Sequence, residues 1–257
     1  MRLKIKKRIL QLLLLILGVP VLLFVVYIII ILVDIAQDER DANAVPMDFG
    51  SFNNIESSMI DPTTILSSIN RGDQNVFNFE PGFPSGDPLF VTSIKWKQTD
   101  FLNLATSIFH VAWNESVNDW KLYRMAYFTE CGHPEGFSNG EFYFYLETSD
   151  HKNYSGRGIL MEPEYGYVMW GGDDYRRPPF FGWKDINLKE MTITAEEALR
   201  RAEASGGMNT RQSWENKCKI DVQLWPQGFE RYAWRVNYWN NDISNENRMV
   251  EFWIPAK

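Results

Sequence analysis

Thr192-Ile-Thr-Ala-Glu-Glu-Ala-Leu-Arg-Arg-Ala-Glu203 is the stretch whose reading decides the fold. Thr194 stands where a helix N-cap belongs, and Glu197 follows three residues later, the spacing of a capping box. Ala195, Ala198, Leu199 and Ala202 then share one narrow apolar face. Gly206-Gly207 supplies a stop, since glycine tolerates the left-handed cap that ends many helices. Three strand-like runs follow: Cys218–Trp225, Tyr232–Trp239 and Met249–Ile254. In the last, Val250, Phe252 and Ile254 alternate with Glu251 and Trp253. A helix followed by antiparallel strands is an α+β layer in which the helix covers one sheet face.

Upstream, Asp61-Pro62-Thr63 opens a short helix in which Ile65, Leu66 and Ile69 share a face. Phe77–Pro88 is rich in Pro and Gly and reads as loop. Phe90–Trp96 alternates in part. Phe101–Trp113 is ambiguous between a helix and a helix breaking into a strand. Leu122–Thr129 and Glu141–Thr148 are aromatic strand candidates joined by the loop Gly132–Gly140. Arg157–Met161 and Tyr165–Trp170 resemble a hairpin. Gly171–Pro179 reads as a loop between subdomains.

At the other end of the chain, Ile9–Val33 is a run of 25 residues with no formal charge. A bilayer core about 30 Å thick needs roughly 20 helical residues, so the run is long enough to span, with Pro20 as a kink site. Arg2, Lys4, Lys6, Lys7 and Arg8 precede it, and Asp34, Asp38, Glu39 and Asp41 follow. The positive-inside bias places the N-terminus in the cytoplasm and the rest outside. A cleaved signal peptide is the competing reading, with Ala42-Asn43-Ala44 as its A-x-A site. A signal core is only about 7–15 residues long, which favours an uncleaved anchor. The expected organisation is a basic tail at 1–8, a transmembrane helix at 9–33 and a stalk at 34–58. Two α+β subdomains follow, at 59–175 and 176–257.

Residues 192–255 resemble the PepSY domain. The resemblance rests on Ile193-Thr194-Ala195-Glu196-Glu197-Ala198-Leu199, on Tyr232-Ala233-Trp234-Arg235-Val236, and on Val250-Glu251-Phe252-Trp253-Ile254. Where the family closes on Asp and Gly, this chain has Pro255-Ala256-Lys257. The family is small, extracytoplasmic and non-catalytic. It occurs in protease propeptides and in cell-envelope proteins, so the resemblance implies binding or inhibition and carries over no catalytic residue. Residues 61–170 follow a similar order, a capped helix and then strands, so the ectodomain is expected to hold one or two such units.

The chain carries 26 basic and 33 acidic residues. Residues 1–34 hold five of the basic and one of the acidic, which leaves the remainder near −11. That balance argues against nucleic acid as a partner. Cys131 and Cys218 are the two cysteines, and outside the membrane one disulfide between them is expected. Two separate buried thiols are the alternative.

No metal or cofactor is implied. His110, His133 and His151 are scattered, Cys131-Gly132-His133 falls short of a zinc pattern, and no H-E-x-x-H, G-x-S-x-G or phosphate loop occurs. Asp173-Asp174 beside Gly171-Gly172 offers too few oxygens for calcium alone. Glu162, Glu164, Asp173 and Asp174 are the carboxylates from which a glycosidase pair would have to come. All ten tryptophans lie beyond the apolar run, and a β core accounts for most of them. Trp170, Tyr175, Arg176, Arg177, Phe180, Phe181 and Trp183 cluster in a Gly/Pro-rich stretch and form the expected ligand surface.

The leading reading is therefore a single-pass, membrane-anchored, extracytoplasmic and non-enzymatic binding or regulatory protein. Its partners would be the bilayer through 9–33 and an envelope protein or peptide, with a peptidase as one candidate. The alternatives are a glycan-binding module or hydrolase built on the 170–183 loop, and a structural subunit of a membrane complex.

Overall fold

The computed structural model describes residues 25–28, 52–73, 76–78, 95–147, 154–175, 188–226, 232–240 and 249–257. Two compact units are distinguished. Of the first, Met1–Val45 with Phe180–Gly182, only Val25–Ile28 is described, a helical piece with exposed side chains. The remainder of the apolar run lies outside the described residues. The second unit, Pro46–Pro179 with Trp183–Lys257, holds every other element.

Its centre is one antiparallel sheet of eight strands. In chain order these are β1 (Asn54–Met59), β2 (Lys121–Glu130), β3 (Asn139–Glu147), β4 (Tyr154–Glu162), β5 (Tyr167–Tyr175), β6 (Cys218–Pro226), β7 (Tyr232–Asn240) and β8 (Met249–Pro255). Their spatial order is β1-β5-β4-β3-β2-β6-β7-β8. Four helices accompany them: α1 (Pro62–Arg71), α2 (Gln98–Trp113), α3 (Ala195–Ala202) and α4 (Met208–Ser213).

Here the expected fold class is corrected. The α+β arrangement of a transmembrane helix followed by one or two helix-on-sheet units gives way to a single, mostly antiparallel sheet with few helices. No described helix is long and apolar enough to cross a membrane. The physical reason is the seam between β2 and β6. They pair antiparallel from Met125 opposite Leu224 to Glu130 opposite Lys219, so neither meander has an inner edge. Cys131 and Cys218 are disulfide-bonded at the end of that seam, with Cα atoms 5.2 Å apart across a separation of 87 residues. The Cys131 N–H also donates to the Cys218 carbonyl at 2.9 Å.

Side-chain alternation assigns the two faces of the sheet. Met125, Tyr127, Phe142, Ile159, Val168, Val222, Val236 and Trp234 point to the helix side and are buried. Phe101, Leu104, Ile108 and Phe109 of α2 and Ala195, Ala198, Leu199 and Ala202 of α3 close the core over them. Phe101–Trp113 is thus continuous helix. Asp100 accepts the Lys97 N–H at 2.7 Å to start it, and Asn114 ends it in the left-handed region at φ 54°.

Local grammar held at several caps. Asp61 accepts from Thr63 N–H at 3.0 Å, with Pro62 in the first turn and Gly72 at φ 80° closing α1. Thr194 Oγ1 accepts from Glu197 N–H at 3.3 Å. Elsewhere it was overridden. The end of the expected stalk, from Asn54, together with Met59 forms an edge strand, because β5 offers it a hydrogen-bonding partner. Gly171–Tyr175, expected as loop, continues β5 because β4 pairs with it along its whole length and β1 with Gly171 and Gly172. Gly206-Gly207 does interrupt the helix as expected: Gly206 leaves helical geometry at φ 126°, and the chain kinks there before α4 begins at Met208.

That kink is seated on a polar knot. Tyr238 Oη donates to Glu203 Oε1 at 2.7 Å, and Arg211 Nε donates to Glu203 Oε2 at 2.8 Å. A Cβ on Gly207 would lie 2.2 Å from the Tyr238 hydroxyl. Gly207→Ala is therefore expected to lower stability by about 1–3 kcal/mol through overpacking. In a Tyr238→Phe background the same change should cost less. Equal urea midpoints for Gly207→Ala and the parent chain would contradict the packing described.

Candidate functional site

The helices occupy one face of the sheet. The opposite face carries the other half of each strand's alternation: Arg124, Ala126, Phe128 and Glu130 on β2, Glu141 and Tyr143 on β3, and Leu160 and Glu162 on β4. On β6 and β7 it carries Asp221, Gln223, Trp225, Arg235, Asn237 and Trp239. At its β1 end the face is covered by Phe52, whose ring sits against Gly158 and Gly171 and is stacked 6.2 Å from Tyr143. At its β8 end Trp239, Met249 and Trp253 are exposed by 41%, 45% and 39%, in contrast to the buried aromatics beneath the helices.

Between these ends lies a groove of about 420 Å³ over β4, β3, β2 and β6. Glu130, Glu141, Glu162, Glu164 and Asp221 supply its polar wall, and Phe128, Leu160 and Trp239 its apolar wall. Each carboxylate has its own setting. Glu162 accepts from the Tyr167 hydroxyl. Burial pushes the Glu162 carboxyl above the usual carboxylate range, against the effect of that hydrogen bond. Asp221 is 5% exposed and accepts from Asn237 Nδ2 at 2.9 Å, Gln223 Nε2 at 3.0 Å and Trp239 Nε1. Burial still outweighs these donors and raises the Asp221 carboxyl. Glu141 accepts from the Tyr143 hydroxyl and faces Arg124 Nη2 at 3.5 Å. Glu164 Oε1 accepts from Asn139 Nδ2 at 3.1 Å.

A second depression, about 770 Å³, lies between α1 and α2 beside Asp73, Asn103, Thr106, His110 and Glu115. Its nearest ordered feature is structural. Arg157 lies over the rings of Trp113 and Trp120, at 5.3 and 4.8 Å, and reaches Glu115 at 3.3 Å. This stacked arginine ties β4 to α2.

The sequence-expected surface is only partly brought together. Trp170 is 3% exposed, faces the helices from β5 and packs edge-on to Phe77 at 5.6 Å. Tyr175 is the last residue of β5. Arg176, Arg177, Phe180, Phe181 and Trp183 lie outside the described residues. Of the four candidate carboxylates, Glu162 and Glu164 share the groove. Asp173 and Asp174 stand towards the other end of β5, where Asp173 accepts from Asn53 and Asp174 from Ser155 Oγ at 2.6 Å. Among the described residues no group of three or more His, Cys, Asp or Glu is placed to hold a metal ion. Cys131 is consumed by the disulfide.

Sequence reasoning missed Glu141, Asp221, Asn237 and Trp239. Their signal was present as the polar phase of strands whose apolar phase had been recognised: Asp221 and Gln223 between Ile220, Val222 and Leu224. No protein family, curated protein or solved structure matches this chain.

The raised carboxyls set a pH dependence. A group whose pKa is higher folded than unfolded binds its proton more readily in the native state, so its stabilising contribution is lost as pH rises through the folded value. Acidification from about pH 7 to about pH 5 should therefore raise the urea midpoint, with Glu162 and Asp221 contributing. Glu162→Gln should narrow that difference. An unchanged difference in the variant would contradict the assignment to Glu162.

Proposed function

We propose that this chain is a non-catalytic, extracytoplasmic binding protein, held at a membrane through the apolar run 9–33. In this reading it binds or restrains a peptide or protein of the cell envelope, and a peptidase is one candidate. The observation that carries the reading is the one-sided layering. The helices close one sheet face into a core, while the other keeps a groove and, beside it, exposed Trp239, Met249 and Trp253. Exposed aromatic side chains next to satisfied polar groups are the composition of a contact surface. Further support comes from the likeness of residues 192–255 to PepSY, a binding module, and from the basic residues that precede the apolar run.

The glycan reading loses Trp170, which is core. Photo-cross-linking in intact cells tests the contact surface. A benzoylphenylalanine in place of Trp253 or Trp239 should give a discrete adduct, and the same group in place of Met208, which is exposed on α4, should not. Adducts of equal yield from all three positions, or none from the sheet face, would contradict the proposal.

A further inference from the structure

The groove leaves charge uncancelled. Five carboxylates line it, and Lys219 is the single basic side chain among its described lining residues. Lys219 stands 3.9 Å from Glu130, with both side chains more than half exposed, a pair that solvent screens to little effect. Arg124 approaches Glu141 from beside the groove. The hydrogen-bonding partners of the other three are neutral: Tyr167 on Glu162, Asn139 on Glu164, and Asn237, Gln223 and Trp239 on Asp221. The further cations that reach the groove from outside its lining are Lys95, towards Glu164 and Glu130, and Arg235, towards Asp221. Hydroxyls and amides satisfy hydrogen bonds without cancelling charge.

The same wall also holds an acceptor that lacks a donor. Asn139 lines the groove, and its donation to Glu164 fixes which way the amide points. Its Oδ1 is buried and has no partner. Asn237, which lies outside the groove's lining and is 0% exposed, is oriented the same way by its donation to Asp221, and its Oδ1 is also unpartnered. Such buried acceptors are uncommon, and an incoming N–H would satisfy that of Asn139. Opposite it, Phe128, Leu160 and Trp239 give an apolar wall. Negative charge, a spare acceptor and an apolar strip together describe a lysine or arginine side chain, whose methylene stem packs while its head donates.

We propose that the groove is the docking site for a basic peptide segment of the partner, taking a Lys or Arg head at Glu162 and Glu164 beside Asn139, with its stem along Leu160 and Phe128. This rests on the binding reading given above and names the chemistry of its partner.

The test uses the full chain in nanodiscs of zwitterionic lipid, titrated with synthetic probe peptides and followed calorimetrically. The probes are Gly/Ser peptides carrying two Lys or two Arg, and matched peptides carrying norleucine or Glu. The basic peptides should bind, and the norleucine and Glu peptides should not. Glu164→Gln should weaken binding roughly tenfold, the effect of losing a charge-assisted hydrogen bond. Glu162→Gln, at the end of β4 where Glu164 lies in the turn that follows, should weaken binding as well. Asp73→Asn, beside the other depression, should leave affinity unchanged.

Binding of norleucine peptides as tight as that of lysine peptides would overturn the proposal. So would preference for the Glu peptide, or equal weakening by Asp73→Asn and Glu164→Gln. Discrete cross-links from Trp253 together with no basic-peptide binding would sink this inference and leave the contact face standing. Groove-dependent basic-peptide binding without any cellular cross-link would do the reverse.

Discussion

The pairing of β2 with β6 is the constraint on which the rest depends. Six residue pairs, Met125–Leu224 to Glu130–Lys219, join two stretches of chain that lie far apart in sequence. From this seam each half runs outward, β2 to β5 on one side and β6 to β8 on the other. Each half is also preceded by a helix on the same face, and the two helices begin against each other. Gln98 N–H at the start of α2 donates to Glu196 Oε1, and Ala195 N–H at the start of α3 donates to Gln98 Oε1 at 2.8 Å. Two helix N-termini bring like partial charges together, and the Glu196 carboxylate offsets that cost while satisfying an orphan N–H. The disulfide then closes the seam at one end.

One-sidedness follows from this arrangement. With both helices committed to the same face, Tyr127, Trp96, Phe101, Phe142 and Trp234 form a dense aromatic core there. The alternation that buries them must place Glu141, Asp221, Asn237 and Trp239 on the opposite side. The start of α3 is held from below: Trp234 Nε1 donates to the Ile193 carbonyl at 2.8 Å, and Thr192 and Ile193 N–H donate to Ala256 at 3.0 and 3.2 Å. A rigid helix layer on one side is what allows the other side to present polar groups in fixed positions.

Much of the local structure was legible because it is written in short spacings. The caps at Asp61 and Thr194, the hairpin through Pro163-Glu164-Tyr165-Gly166, the three C-terminal strands and the Cys131–Cys218 bond can each be read from neighbouring residues or from a count of two thiols. What failed was non-local. The β2–β6 register cannot be read from either strand alone, so the local pattern suggests separate units where there is one sheet. Gly171-Gly172-Asp173-Asp174 has loop composition, yet it is strand because β4 pairs with all of it and β1 with its two glycines. Trp170 was placed on a surface because of its neighbours in sequence, whereas its alternation phase sends it into the core. The groove residues come from β2, β3, β4 and β6, and only the sheet order brings them together.

Native-state hydrogen exchange on the full chain tests the single-sheet arrangement most directly. The β2 and β6 amides from Ala126 to Thr129 and from Ile220 to Gln223 should be among the slowest to exchange. They should open together with β3 and β7, at the free energy of global unfolding. Fast exchange at these amides, or separate opening of residues 95–175 and 188–257 as independent units, would contradict a shared seam and the one free face that follows from it.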